Sequence, residues 1–187
     1  ADAGAFSLRQ AIIAANSNPD ADLITFNLPG NGPFTINLLS ALPSLSTAMT
    51  IDGYTQPGAL ANTLEDGDNA VIQVRIDGVD AGTSTQGLAV CSGAVTIRGL
   101  SITRFGQSGI ALGTQSSGTQ CVQPPSGAVV EGNFIGLAAD GDTPANNRFA
   151  GVSIINAPNS RIGGSATATR NLISGNADVG LHLGGTN

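Results

Sequence analysis

A short phrase returns along this chain: glycine, an apolar residue, any residue, an apolar residue. It reads GLAV at Gly87–Val90, GIAL at Gly109–Leu112, GVSI at Gly151–Ile154 and GLHL at Gly180–Leu183. The spacing is uneven, shortest from Gly87 to Gly109 and longest from Gly109 to Gly151. Related phrases follow: AVTIRG at Ala94–Gly99, AVVEGNFIG at Ala128–Gly136, and SRIGG with RNLISGN between Ser160 and Asn176. Repetition of strand-like phrases on a basic period of about 20 residues, with insertions, predicts a solenoid. In such a fold each coil buries its apolar face only by stacking on the next.

Composition fits many small turns around an aliphatic interior. Apolar residues make up 41% of the 187, but aromatics only 4%, and Trp is absent. Ile, Leu, Val and Ala must therefore fill the core. The 26 glycines and the many asparagines suit tight turns, since both tolerate left-handed backbone.

Ahead of the repeats, Phe6–Asn16 places Leu8, Ala11, Ile12 and Ala15 on one helical face. Ser7 and Gln10 form a capping-box pair, and NSNPD at Asn16–Asp20 stops the helix. Residues 6–17 are thus expected to plug the open end of a stacked core. Strands are expected at Leu23–Leu28, Phe34–Leu39, Ala48–Gly53 and Ala70–Gly78. No helical period separates them, which argues against β-α-β crossovers. The chain reads as one domain, 1–187, with coils over 23–187 and an inserted loop at 107–126. It halts at LHLGGTN, partway through a coil, and is expected to be a piece of a longer protein. An uncapped last coil would leave an end open to end-to-end self-association.

The net charge is −6 and Lys is absent. Without a basic patch, nucleic acid is an unexpected partner. No apolar run approaches the ~18 residues of a spanning helix, so membrane insertion is not expected. The opening ADAGAFSLRQ lacks the basic and apolar segments of a secretory signal. Cys91 closes the GLAV coil and Cys121 sits in the Gly-, Ser- and Pro-rich insertion. A disulfide tying loop to coil is expected, and with it an oxidising compartment; two unrelated thiols are the alternative.

Four segments carry a family likeness. SLRQAIIAAN at Ser7–Asn16 resembles the CSLREAI-type segment of large bacterial surface proteins, with Phe6 where those have Cys. TIDGYTQPGA at Thr50–Ala59, VVEGNFIGLAADG at Val129–Gly141 and SRIGGSATATRNLISGN at Ser160–Asn176 are similar to further segments of the same family. The resemblance implies a right-handed parallel β-helix, all-β apart from its capping helix, on a secreted or cell-surface protein. It brings no catalytic motif.

The residues themselves offer few chemical candidates. Asp52 and Asp77 each stand in an IDG phrase about one coil apart, with Arg75, Arg98 and Arg104 near in sequence. Stacked on one edge, they could serve a polysaccharide lyase or hydrolase, which needs clustered carboxylates. Alternatively, an Asp before Gly forms an Asx turn. Oxygen-rich loops containing Glu65, Asp66 and Asp68, or Asp140 and Asp142, could take Ca²⁺; solvated turns are the alternative. Asn133, Asn171 and Asn176 are expected to stack as amide ladders. His182 alternates with Leu181 and Leu183 and should face outward. Arg148 and Arg170 flank turns and are expected to pair with nearby Asp. The function expected is a structural or adhesive module, with a polysaccharide or a host or cell-surface ligand as partner. A carbohydrate-active enzyme is the alternative.

Overall fold

The computed structural model describes residues 7–113, 121 and 125–185. Much of the 107–126 loop therefore lies outside the described residues. The chain opens with helix α1 (Leu8–Asn16). Ser7 caps it by accepting from the Gln10 N–H at 3.3 Å. Leu8, Ile12 and Ala15 are buried, as their spacing requires.

Strands follow in chain order: β1 (Asp22–Thr25), β2 (Phe34–Asn37), β3 (Met49–Asp52), β4 (Val74–Asp77), β5 (Leu88–Val90), β6 (Val95–Arg98) and β7 (Leu100–Thr103). Then come β8 (Ile110–Leu112), β9 (Val129–Glu131), β10 (Phe134–Ile135), β11 (Ala150–Ile155), β12 (Arg161–Ile162), β13 (Leu172–Ile173) and β14 (Val179–Gly184). They form three sheets, in the orders β1-β3-β6-β9-β12, β2-β4-β7-β10-β13 and β5-β8-β11-β14. Every pairing within the sheets is parallel.

The expectation of one right-handed parallel β-helix, built on a period of about 20 residues, does not stand in that form. The topology is three distinct parallel sheets of five, five and four strands. Their steps are unequal. In the first sheet Asp22 pairs with Met49, Met49 with Val95, Thr96 with Val129 and Val129 with Arg161. The step from Met49 to Val95 is much the longest of these. The repeated glycine phrase samples only the third sheet, where Leu88, Ile110, Val152 and Leu181 align, again at uneven intervals. The connections carry structure of their own, so no single repeat length governs the chain. Parallel sheets of this size usually depend on crossover helices to cover their faces. Among the described residues α1 is the sole α-helix, so the sheets must cover one another.

They do so through columns of aliphatic side chains. Ile24, Ile51, Ile97, Val130 and Ile162 align in the first sheet. Ile36, Ile76, Ile102, Ile135 and Ile173 align in the second. These columns, with Leu88, Ile110 and Val152 of the third sheet, belong to one hydrophobic cluster. Burying each such side chain is worth about 1.5–3 kcal/mol. β-Branched residues fit because the pleat presents one inward face at every second position.

A segment between β3 and β4 lies outside the sheets. Leu60 and Val71 form an antiparallel bridge within it. Its Ile72 packs in a second cluster with Phe134 and Leu137. Its Asn62 amide donates to the Thr167 carbonyl at 3.3 Å. Arg170 donates in turn to the Leu64, Glu65 and Gly67 carbonyls. The segment thus forms a strap fastened to a part of the chain far off in sequence. The expected pairing of Arg170 with an aspartate is replaced by this contact with backbone oxygens.

Candidate functional site

Asp52 and Asp77 end β3 and β4, which belong to different sheets. They are therefore not stacked on one edge, as a paired catalytic role would need. The cross-strand neighbours of Asp52 are Thr25 and Arg98, and those of Asp77 are Asn37 and Thr103. Both carboxylates are buried. Each makes an Asx turn: Asp52 accepts from the Tyr54 N–H at 3.0 Å, and Asp77 from the Val79 N–H at 3.1 Å.

Each also holds an arginine. Arg98 Nη2 donates to Asp52 Oδ2 at 2.7 Å. Arg104 donates through Nε and Nη2 to both oxygens of Asp77, at 2.8, 2.9 and 2.5 Å. Arg75 Nη2 lies 2.8 Å from Asp77 Oδ2, and Arg75 Nε donates to Thr103 Oγ1 at 2.8 Å. Hydrogen bonding to Asp52 raises the pKa of Arg98, and hydrogen bonding to Asp77 raises that of Arg104, each against a smaller opposing effect of burial. An ionised carboxylate accepts at about four lone-pair positions. At Asp77 these are taken up by two guanidiniums and a backbone N–H, which leaves no acceptor for a substrate proton.

The loops considered for Ca²⁺ have other work. Asp68 Oδ1 accepts from the Ala70 N–H at 2.7 Å, while the carbonyls around Glu65 and Asp66 face Arg170. A guanidinium thus holds three backbone oxygens of this loop. Asp140 accepts from the Asp142 and Thr143 N–H groups and from Thr143 Oγ1, and these bonds lower its pKa. Asp142 contributes its backbone N–H to that turn. Among the described residues no group of three or more His, Cys, Asp or Glu is placed to hold a metal. His182 stands 3.2 Å from Ser153 Oγ through Nδ1, with its ring against Phe149.

The expected disulfide is present between Cys91 and Cys121. The amides stack, but as two ladders. Asn171 Oδ1 accepts from the Asn133 N–H at 3.0 Å and its Nδ2 at 3.2 Å. Asn176 Oδ1 accepts from Asn147 Nδ2 at 3.0 Å. Asn147 is fully buried and also accepts from the Phe105 N–H at 3.1 Å. Sequence reading missed Asn147, because it belongs to no repeated phrase.

That reading also missed a concave feature. Where the second sheet hands over to the third, three successive turns stack, at 78–85, 104–107 and 145–148. Gly78 N–H donates to Thr103 O, Gln107 N–H to Thr85 O, and Arg148 N–H to Phe105 O. The floor is tight: a Cβ on Gly106 would come within 2.3 Å of the Thr83 backbone. Above it opens a groove of about 600 Å³ lined by Asp80, Thr83, Arg104, Asn146 and Arg148 among others. In the sequence Arg104 stands with Asp52 and Asp77 as a catalytic candidate and Arg148 as the partner of a nearby aspartate; only the register of the turns brings the two arginines together. No protein-family model matches the chain, and no curated protein matches it.

Proposed function

We propose that the chain is a structural or adhesive module of a secreted or cell-surface protein. Its sheets act as a rigid scaffold, and its turns carry the binding of a glycan or another surface ligand. One observation carries this reading: Asp52 and Asp77 are buried and committed to arginines and Asx turns. The Cys91–Cys121 disulfide supports an oxidising compartment. The same geometry speaks against a carbohydrate-active enzyme built on Asp52, Asp77 and Arg75. Incubating the purified chain with a polysaccharide panel tests the reading. Retention on a polysaccharide or cell surface without new reducing ends or unsaturated products is expected; cleavage of any polymer would overturn it.

A further inference from the structure

We propose that the groove over the stacked turns binds the carboxylate groups of an acidic glycan, with Arg148 as the main contact and Arg104 beside it. The inference rests on the adhesive reading and assigns it a site and a ligand class.

Charge favours this corner. The chain carries −6 overall and has only seven arginines and no lysine. Here the balance inverts: Arg75, Arg104 and Arg148 stand against Asp77 and Asp80. Screening over about 8–10 Å at physiological salt lets such a local excess act despite the acidic remainder.

The guanidiniums are also available. Arg148 is exposed and its side chain has no partner among the described residues. Arg104 is 42% exposed in its side chain. Its Nε and Nη2 serve Asp77, while no described protein group accepts from its Nη1. A guanidinium presents its N–H groups in a planar fork that matches a carboxylate.

The site is held in shape before any ligand arrives. Arg104 has φ +59°, a left-handed conformation uncommon for a residue with a side chain. The Asp77 carboxylate and the bond from Arg104 N–H to the Ala145 carbonyl hold it there. Strain of this type is retained where the surroundings enforce it, and it collects at binding sites. Asn146 and Thr83 on the rim supply amide and hydroxyl groups for sugar hydroxyls.

The test measures binding of the intact, oxidised chain to three polymers at low and high salt. These are polygalacturonate, the same polymer with its carboxyls reduced to alcohols, and a sulfated galactan. Polygalacturonate is expected to bind best, and more weakly as salt rises. Arg148→Ala should weaken it about ten- to hundredfold, the value of a charge-assisted hydrogen bond. Asp80→Asn, which removes a repelling charge, should strengthen it. Circular dichroism checks that both variants fold, and Asp80→Asn keeps the proposal falsifiable if Arg148→Ala does not. Equal binding of the reduced polymer, preference for the sulfated one, or indifference to both substitutions would overturn the inference. In those cases adhesion elsewhere on the chain could stand. Cleavage of the bound polymer would instead sink the adhesive reading and leave the site intact.

Discussion

The turns that leave β3 and β4 are tied to the next strand by charge, through Asp52–Arg98 and Asp77–Arg104. The turns around β10 to β14 are tied by neutral amides, through Asn133–Asn171 and Asn147–Asn176. Both devices satisfy backbone groups left over where the chain swings from one sheet to another. They differ in tolerance. An amide offers donors and acceptors together, so identical residues can stack from one turn to the next. A carboxylate only accepts, so it needs a cation from another position. The charged turns therefore yield arginines that reach the surface, and the amide turns yield a network whose inner members, Asn133 and Asn147, are buried.

The largest expected effect breaks the charged side. Asp77→Ala removes the Asx acceptor and strands Arg75 and Arg104. The loss is expected to be about 3 kcal/mol, the low end for a broken buried pair because Arg104 can turn to solvent. Urea denaturation measures it, and Asp77→Asn should cost less because it keeps the turn. Next comes the amide side. Asn147→Ala leaves the Phe105 N–H unpaired in the interior and leaves the Ile102 carbonyl with the Gly136 N–H alone, for a loss of about 2 kcal/mol. That loss should not change with salt, and a strong salt dependence would erase the contrast between the two kinds of turn.

Arg98→Ala should cost about 1–2 kcal/mol: Arg98 is 43% exposed in its side chain, but Asp52, at 6%, loses its cation. High salt should shrink the difference further. The smallest effect concerns the single tyrosine in a chain without Trp. Burial, then the Asp68 and Asp52 charges, push the Tyr54 phenol up to about 12. Its hydroxyl donates to the Gly132 carbonyl at 2.7 Å. A raised pKa favours the neutral form in the fold. Its contribution is complete below the unfolded value of about 10 and lost as pH rises through about 12. Tyrosinate absorbance should show that native midpoint, and the unfolded chain one of about 10.

Parts of this arrangement were legible in the chain and parts were not. The helix at Leu8–Asn16 follows from four apolar residues on one face and a cap, all within reach of one another. The inward columns follow from alternation, which is also local. The sheet steps were not legible, because the stretch between Met49 and Val95 includes a strap with its own small core. The pairing of Asp77 with Arg104 depends on how β4 lies against β7. No local spacing rule reaches from one to the other. Asn133 and Asn171 stood out by their phrases, whereas Asn147 sits in PANNR, which repeats nowhere.

The strap from Gln56 to Ile72 changes how such a stack can come apart. A pile of strands touching only adjacent neighbours can fray from an end, one layer at a time. Here Arg170 grips carbonyls that precede β4, and Asn62 reaches Thr167. Tyr54 likewise bypasses the layer of Gly99 to reach Gly132. Peeling away β12 and β13 must therefore loosen a segment rooted near the other end. Late and early layers are coupled into one opening unit, and their amides should exchange with solvent together rather than in sequence.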